Sequence, residues 1–241
     1  MPAPHMQPFV LSPEPADRER RGTIDVHTAP GSSGGRRPVV VFVHGGPIPP
    51  GMEPGPRDWP TFLGYGALAA ASGLIGVTIE HRLRATTDYP VAAKDVESAV
   101  EQARGLDGVD PDAVALWFFS GGSLLAADWL AAPPPWLRCV AFTYPALTPP
   151  PGWGVESRFD VAASVTSPSP KLLLTRVGHE FPEFVPGQDA FVAAAGPGLE
   201  IIEVPDGQHG FDSADHTEQS RSAVTRAMTW VAEALHSPSG R

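Results

Sequence analysis

The chain has 241 residues, 42% of them hydrophobic, and a formal net charge of −10 at pH 7. That length and apolar content suit one large domain with a sizeable core, and the acidic balance, with no dense basic block beyond "RERR" at 18–21, argues against nucleic-acid binding. A single cysteine, Cys139, excludes an internal disulfide and a thiolate zinc cluster.

No run of 18 apolar residues is present, and the first residues lack the apolar stretch of a secretory signal, so a soluble, cytoplasmic protein without a membrane span is expected. Residues 1–22 read as a polar, Pro-rich lead-in with a short strand at "FVL" as an option. "TIDVH" (23–27) alternates like an edge strand, and "VVVFV" (39–43) has the continuous apolar character of a strand buried on both faces. A long loop, "HGGPIPPGMEPGPRDWP", leads to a helix over about 60–72 with Pro60 in its first turn, then a strand at 74–79.

A helix follows at 91–104, with Ala92, Val96, Ala99, Val100 and Ala103 on one face. "VDPDAVALWFF" is a turn and strand, "GGSLLAADWLAA" a helix stopped by prolines, and "RCVAF" (138–142) a strand. After a Pro-rich loop at 145–170 come a strand at 171–175, a helix over about 187–195, a strand at 200–204 and a final helix over about 214–236. Apolar strands alternating with amphipathic helices predict a single α/β domain over 1–241, with a mostly parallel central sheet of about seven to eight strands flanked by helices. Little sequence separates the strands at 138–142 and 171–175, so no large lid domain is expected.

In such sheets, sites form at the carboxyl ends of the strands. At one of these ends "FFSGGS" (118–123) runs from strand to helix through a serine and two glycines. A serine hydroxyl needs a base beside it and a sharp turn to display it, and small neighbours make that turn possible. Ser120 has Gly122 at +2 but Phe118 at −2, where a glycine is usual; Ser123 is the rival nucleophile, with Gly121 at −2 and Leu125 at +2. "HGG" at 44–46, directly after a strand, offers backbone N–H groups to developing negative charge at Gly45 and Gly46, and Gly121 offers another. His209, in "VPDGQHGFD", is the candidate base. Glu180 is the first carboxylate after the strand at 171–175 and the candidate partner of that base, with Glu183, Asp206 and Asp212 as lesser alternatives.

The ordered set "VVVFVHGGP", "TIEHRL", "ALWFFSGG", "LLLTRVGHEFP" and "DGQHGFD" resembles the α/β-hydrolases, in their esterase/lipase and dienelactone-hydrolase-like branch, over about residues 23–236. The resemblance implies Ser120 as nucleophile, Glu180 as acid, His209 as base, and Gly45, Gly46 and Gly121 as oxyanion-hole backbone. It departs from the pattern at Phe118, and Glu180 stands where Asp is commoner; dienelactone hydrolases use cysteine where this chain has Ser120, so their chemistry does not carry over. The expected activity is hydrolysis of a small or medium carboxylic ester, without metal or organic cofactor, on a small-molecule acyl substrate. The rival expectations are the same machinery acting on a thioester, lactone or peptide bond, an acyl transferase or cyclase, or an inactive binding protein whose Phe118 has disabled the turn.

Overall fold

Eight strands form one sheet: β1 (Asp17–Arg21), β2 (Ile24–Thr28), β3 (Arg37–Val43), β4 (Ile75–Ile79), β5 (Val109–Phe119), β6 (Leu137–Thr143), β7 (Lys171–His179) and β8 (Leu199–Gln208). They lie in the order β1-β2-β4-β3-β5-β6-β7-β8, with β1 and β2 antiparallel and the rest parallel. The structure is a computed structural model describing residues 3–32, 34–167 and 169–237. Residues 1 and 2 of the lead-in, single positions in the loops at 33 and 168, and 238–241 lie outside the described residues.

The helices are α1 (Pro60–Ala71), α2 (Tyr89–Arg104), α3 (Ala127–Ala131), α4 (Val185–Ala195), α5 (Phe211–Ala214) and α6 (Glu218–His236). Val41, Leu116, Phe118, Phe142 and Leu174 face α2 and α4, whereas Val40, Phe42, Trp117, Phe119 and Leu173 face α1 and α6. Both faces of the central strands are therefore buried, which is why their sequences are continuously apolar. No helix of the described residues is long and apolar enough to cross a membrane.

Three expectations are corrected. The eighth strand is Asp17–Arg21 and not "FVL", whose Phe9 and Val10 are buried without joining the sheet. The segment after β5 begins as a 3₁₀ turn, Ser120–Ala126, before the five-residue α3. The last helix is interrupted at residues 215–217, and α6 restarts where the Thr217 side chain accepts from the Ser220 N–H at 3.1 Å.

The polar strand β1 is held by charge. Asp25 on β2 is fully buried and accepts hydrogen bonds from Arg18, Arg20 and Arg57. Burial pushes its carboxyl up, but the Arg20 and Arg18 guanidiniums outweigh that and hold it below the ordinary aspartate value. A carboxylate with a depressed folded pKa contributes stability above its unfolded value of about 4 and loses that contribution as pH falls through the folded one. Asp25→Asn is expected to lower stability by about 2–3 kcal/mol at pH 7, with less difference from the native chain at pH 3. Urea unfolding at the two pH values checks it.

Candidate active site

β5 ends at Phe119, and Ser120 turns sharply into the 3₁₀ segment with φ +50°, a left-handed conformation costing on the order of 1–3 kcal/mol for a residue with a side chain. The turn is fixed from two sides. The Ala146 N–H donates to the Ser120 carbonyl at 3.1 Å, and the buried Tyr89 hydroxyl donates to the Gly121 carbonyl at 2.8 Å. A Cβ at Gly121 would run into the Gly46 carbonyl oxygen, and one at Gly122 into that of His44. The turn thus packs directly on the loop after β3, and the contact requires both glycines.

Phe118 does not disturb this arrangement. In the sheet it lies beside Val43 and Phe142, and its ring stacks on Phe142 at 5.9 Å between centroids. Its side chain is fully buried on the α2 face, opposite to that of Phe119. Phe118→Ala is expected to cost about 3–5 kcal/mol of stability, as for other buried aromatics, measurable by urea or thermal unfolding.

The candidate base and its candidate partner are brought together by strand register. In the parallel β7–β8 pair His179 lies opposite Gln208, so the next residues, Glu180 and His209, leave the sheet side by side. The strands approach so closely that a Cβ at Gly178 would run into the Pro205 carbonyl oxygen. His209 Nε2 lies 2.7 Å from Ser120 Oγ, and its Nδ1 lies 2.6 Å from Glu180 Oε1. The Glu180 side chain is 2% exposed and that of His209 15% exposed. Glu180 also accepts from the Phe181 N–H at 2.8 Å and from the Gln188 amide at 3.1 Å, the same amide donating to the Pro145 carbonyl at 3.1 Å. The His209 ring lies between Phe181 and Tyr144, at centroid distances of 4.3 and 4.7 Å.

The alternatives fall elsewhere. Ser123 Oγ is buried with no hydrogen-bond partner among the described residues. Glu183 is exposed; Asp206 is exposed and bonds to Gln219; Asp212 is buried and accepts from Tyr65 and Tyr144. His44 and His81 stack at 3.7 Å, and burial pushes both down, His44 to about 4 and His81 well below its ordinary value, so both are neutral at pH 7. The neutral His44 ring donates from Nδ1 to the Gly45 carbonyl at 2.6 Å. In a trans peptide the Gly46 N–H then points the opposite way, away from His44.

Comparison with solved structures places the fold in a known architecture. A thermophilic esterase from Thermogutta terrifontis superposes with a TM-score of 0.70 at 17% identity, covering 94% of this chain and 95% of the esterase. Carboxyl esterase 2 from the fungus Tuber melanosporum gives 0.65 at 19% identity over 92% and 86% of the two chains. A protein proposed to be a dienelactone hydrolase, from Klebsiella pneumoniae, gives 0.65 at 16% identity over 87% and 92%. The fold is that of an α/β-hydrolase. No family model matches the sequence, and no curated protein matches it.

Beside Ser120 and His209 of this α/β-hydrolase fold lies an open cavity of about 370 Å³, walled by Gly46, Ile48, Trp59, Phe62, and Pro4 and His5 of the lead-in. The His5 ring sits 4.9 Å from that of Trp59. The sequence allows "RDWP" with Trp59 to roof the pocket but does not show the Pro4 and His5 part of this wall, because nothing in "MPAPHMQP" separates a docked segment from a solvated one. Nor does it show Gln188, a polar residue on a helix whose sequence does not reveal which carboxylate it meets. Tyr144 was missed too, since an aromatic after a buried strand reads as core. A larger groove of about 460 Å³ lies between α2 and α3, but its walls hold no serine, threonine, cysteine or histidine. Among the described residues no group of three or more His, Cys, Asp or Glu side chains is placed to hold a metal ion.

Proposed function

We propose that this chain is a serine hydrolase of small to medium carboxylic esters, with Ser120 as nucleophile, His209 as general base and acid, and Glu180 as the orienting carboxylate. The observation that carries the reading is the unbroken line from Ser120 Oγ to His209 at 2.7 Å and from His209 to Glu180 at 2.6 Å, on a serine in a left-handed turn. The likeness to esterases supports it at the level of fold.

The mechanism follows from the proton positions that Glu180 imposes. Its carboxylate accepts from Nδ1–H, so Nε2 carries the lone pair that takes the Ser120 proton. Oγ then bonds to the ester carbonyl carbon, and the carbonyl electrons move to oxygen. The N–H of Gly121 and those of Gly45 and Gly46 are the donors that would meet this oxyanion in a water-poor pocket. His209, now imidazolium, returns its proton to the leaving alkoxide as the C–O bond breaks. A water molecule, deprotonated by His209, releases the acid and restores Ser120. The apolar walls Ile48, Trp59 and Phe62 favour an uncharged acyl or alkoxy group.

Pre-steady-state turnover of p-nitrophenyl butyrate tests this. A burst of p-nitrophenolate near one equivalent per chain, followed by slower steady-state release, is the result expected of an acyl-enzyme. Absence of turnover across acetyl, butyryl and octanoyl esters would remove the reading.

A further inference from the structure

A second carboxylate stands behind His209. Tyr144 follows β6 in a left-handed conformation, φ +39°, and its N–H donates to the Thr175 carbonyl at 3.0 Å. Its ring packs on the imidazole of His209, 4.7 Å between centroids, and its hydroxyl donates to both carboxylate oxygens of Asp212 at 2.9 Å. The Tyr65 hydroxyl, from α1, donates to Asp212 Oδ2 at 3.0 Å. Asp212 itself is fully buried, and its residue borders the same cavity as Ser120 and His209.

Neutral donors alone are poor compensation for a buried carboxylate, whose desolvation costs several kcal/mol. An asparagine oxygen would accept the tyrosine hydroxyls and tie α1 to the β6 loop without a buried charge. A carboxylate there instead places an acid against the hydroxyl of the ring that packs on His209. Burial outweighs the Tyr144 and Tyr65 hydroxyls, a backbone hydrogen bond and the charge of a protonated His209, and leaves the Asp212 carboxyl raised to about 6. Both tyrosines are pushed well above their ordinary values, by burial first and then by Asp212, and so remain O–H donors. The Asp212 carboxyl thus meets His209 through the Tyr144 ring.

We infer that Asp212 is a positioning residue for His209: through Tyr144 it fixes the imidazole face, and its charge stabilises the imidazolium that forms when Ser120 gives up its proton. This rests on the serine-hydrolase reading. The other groups facing the pair are Glu180 on Nδ1, Ser120 on Nε2, Tyr65 from α1, His5 across the cavity, and the Val10 N–H, which donates to the Asp212 main-chain carbonyl at 2.9 Å. None of them supplies a second negative charge on the Tyr144 side of the ring.

In Asp212→Asn, kcat is expected to fall about tenfold with KM little changed, because the imidazolium loses the anion beyond Tyr144. The imidazole resonances of His209, followed by NMR, are expected to move, because the Tyr144 ring packed on it then bonds to a neutral, weaker acceptor. Tyr144→Phe keeps the ring and removes the anchoring donor, so a smaller change of the same kind is expected. This second variant decides the matter if Asp212→Asn does not fold. His209 resonances unchanged in the folded variants, with kcat within twofold of the native chain, would overturn the inference. The NMR readout needs no turnover. If the native chain hydrolyses no ester, the function reading fails while the Asp212–His209 coupling is still decided.

Discussion

Ser120→Ala is expected to lower kcat for a short p-nitrophenyl ester by about 10⁵- to 10⁶-fold, leaving only the background that binding and oxyanion contacts supply. The substitution removes one oxygen and leaves its setting intact. The Ser120 carbonyl still receives the Ala146 N–H, and Gly121 and Gly122 still pack on the carbonyls of Gly46 and His44. Stability is expected to change little, because only the part-buried Ser120–His209 bond is lost and alanine is strained at φ +50° much as serine is. A large loss of kcat with an unchanged unfolding midpoint separates a nucleophile from a structural serine. Ser123→Ala serves as the control and is expected to retain activity, since its hydroxyl meets no partner among the described residues.

Glu180→Gln is expected to lower kcat by about 10⁴-fold, for a reason that the hydrogen bonds make explicit. The Gln188 amide nitrogen donates both to Glu180 Oε2 and to the Pro145 carbonyl, so it cannot flip without losing an acceptor. A glutamine at 180 has one oxygen and one NH₂ for two positions that both face donors. If its NH₂ sits near Gln188, two donors oppose each other. If the NH₂ sits at the Oε1 position, it opposes the Phe181 N–H and drives His209 to accept at Nδ1. The imidazole proton then moves to Nε2, which can no longer take a proton from Ser120. The loss should appear in kcat at every pH between 6 and 9, because a wrong tautomer is not repaired by titration. Glu183→Gln, at an exposed position, is expected to be silent. Equal activity of Glu180→Gln and the native chain would remove Glu180 from its role.

Most of the sheet could be read from the sequence because its central strands are buried on both faces and its helices show one apolar stripe. The loops at the strand ends could be located for the same reason, and Ser120, His209 and Glu180 each follow directly on a strand or close to its end. β1 was unreadable because its five residues are all exposed and polar; it joins the sheet through backbone pairing and the arginines on Asp25 and Asp58. "FVL" misled in the opposite direction, since burial alone does not make a strand: Phe9 fits over Gly64 and against Tyr65, and the Val10 N–H goes to Asp212. Phe118 looked like a fault because the usual glycine reports crowding at that position. Here the crowding falls on Gly121 and Gly122 instead. Gln188, Tyr144 and Asp212 come from three separate elements, and only folding shows that all three converge on one imidazole or its acid.

The central claim is that Ser120 is the reactive hydroxyl of this fold. The Thermogutta terrifontis esterase, similar at 16% identity and TM-score 0.67, has been solved phosphonylated by cyclosarin, and a fluorophosphonate reagent asks the same question of this chain. Intact mass after labelling, followed by peptide mapping, is the measurement. A single adduct per chain on Ser120, absent from Ser120→Ala and prevented by acid protonation of His209, is the result predicted. An adduct on Ser123, or ester turnover by a chain that takes no adduct at Ser120, would contradict it.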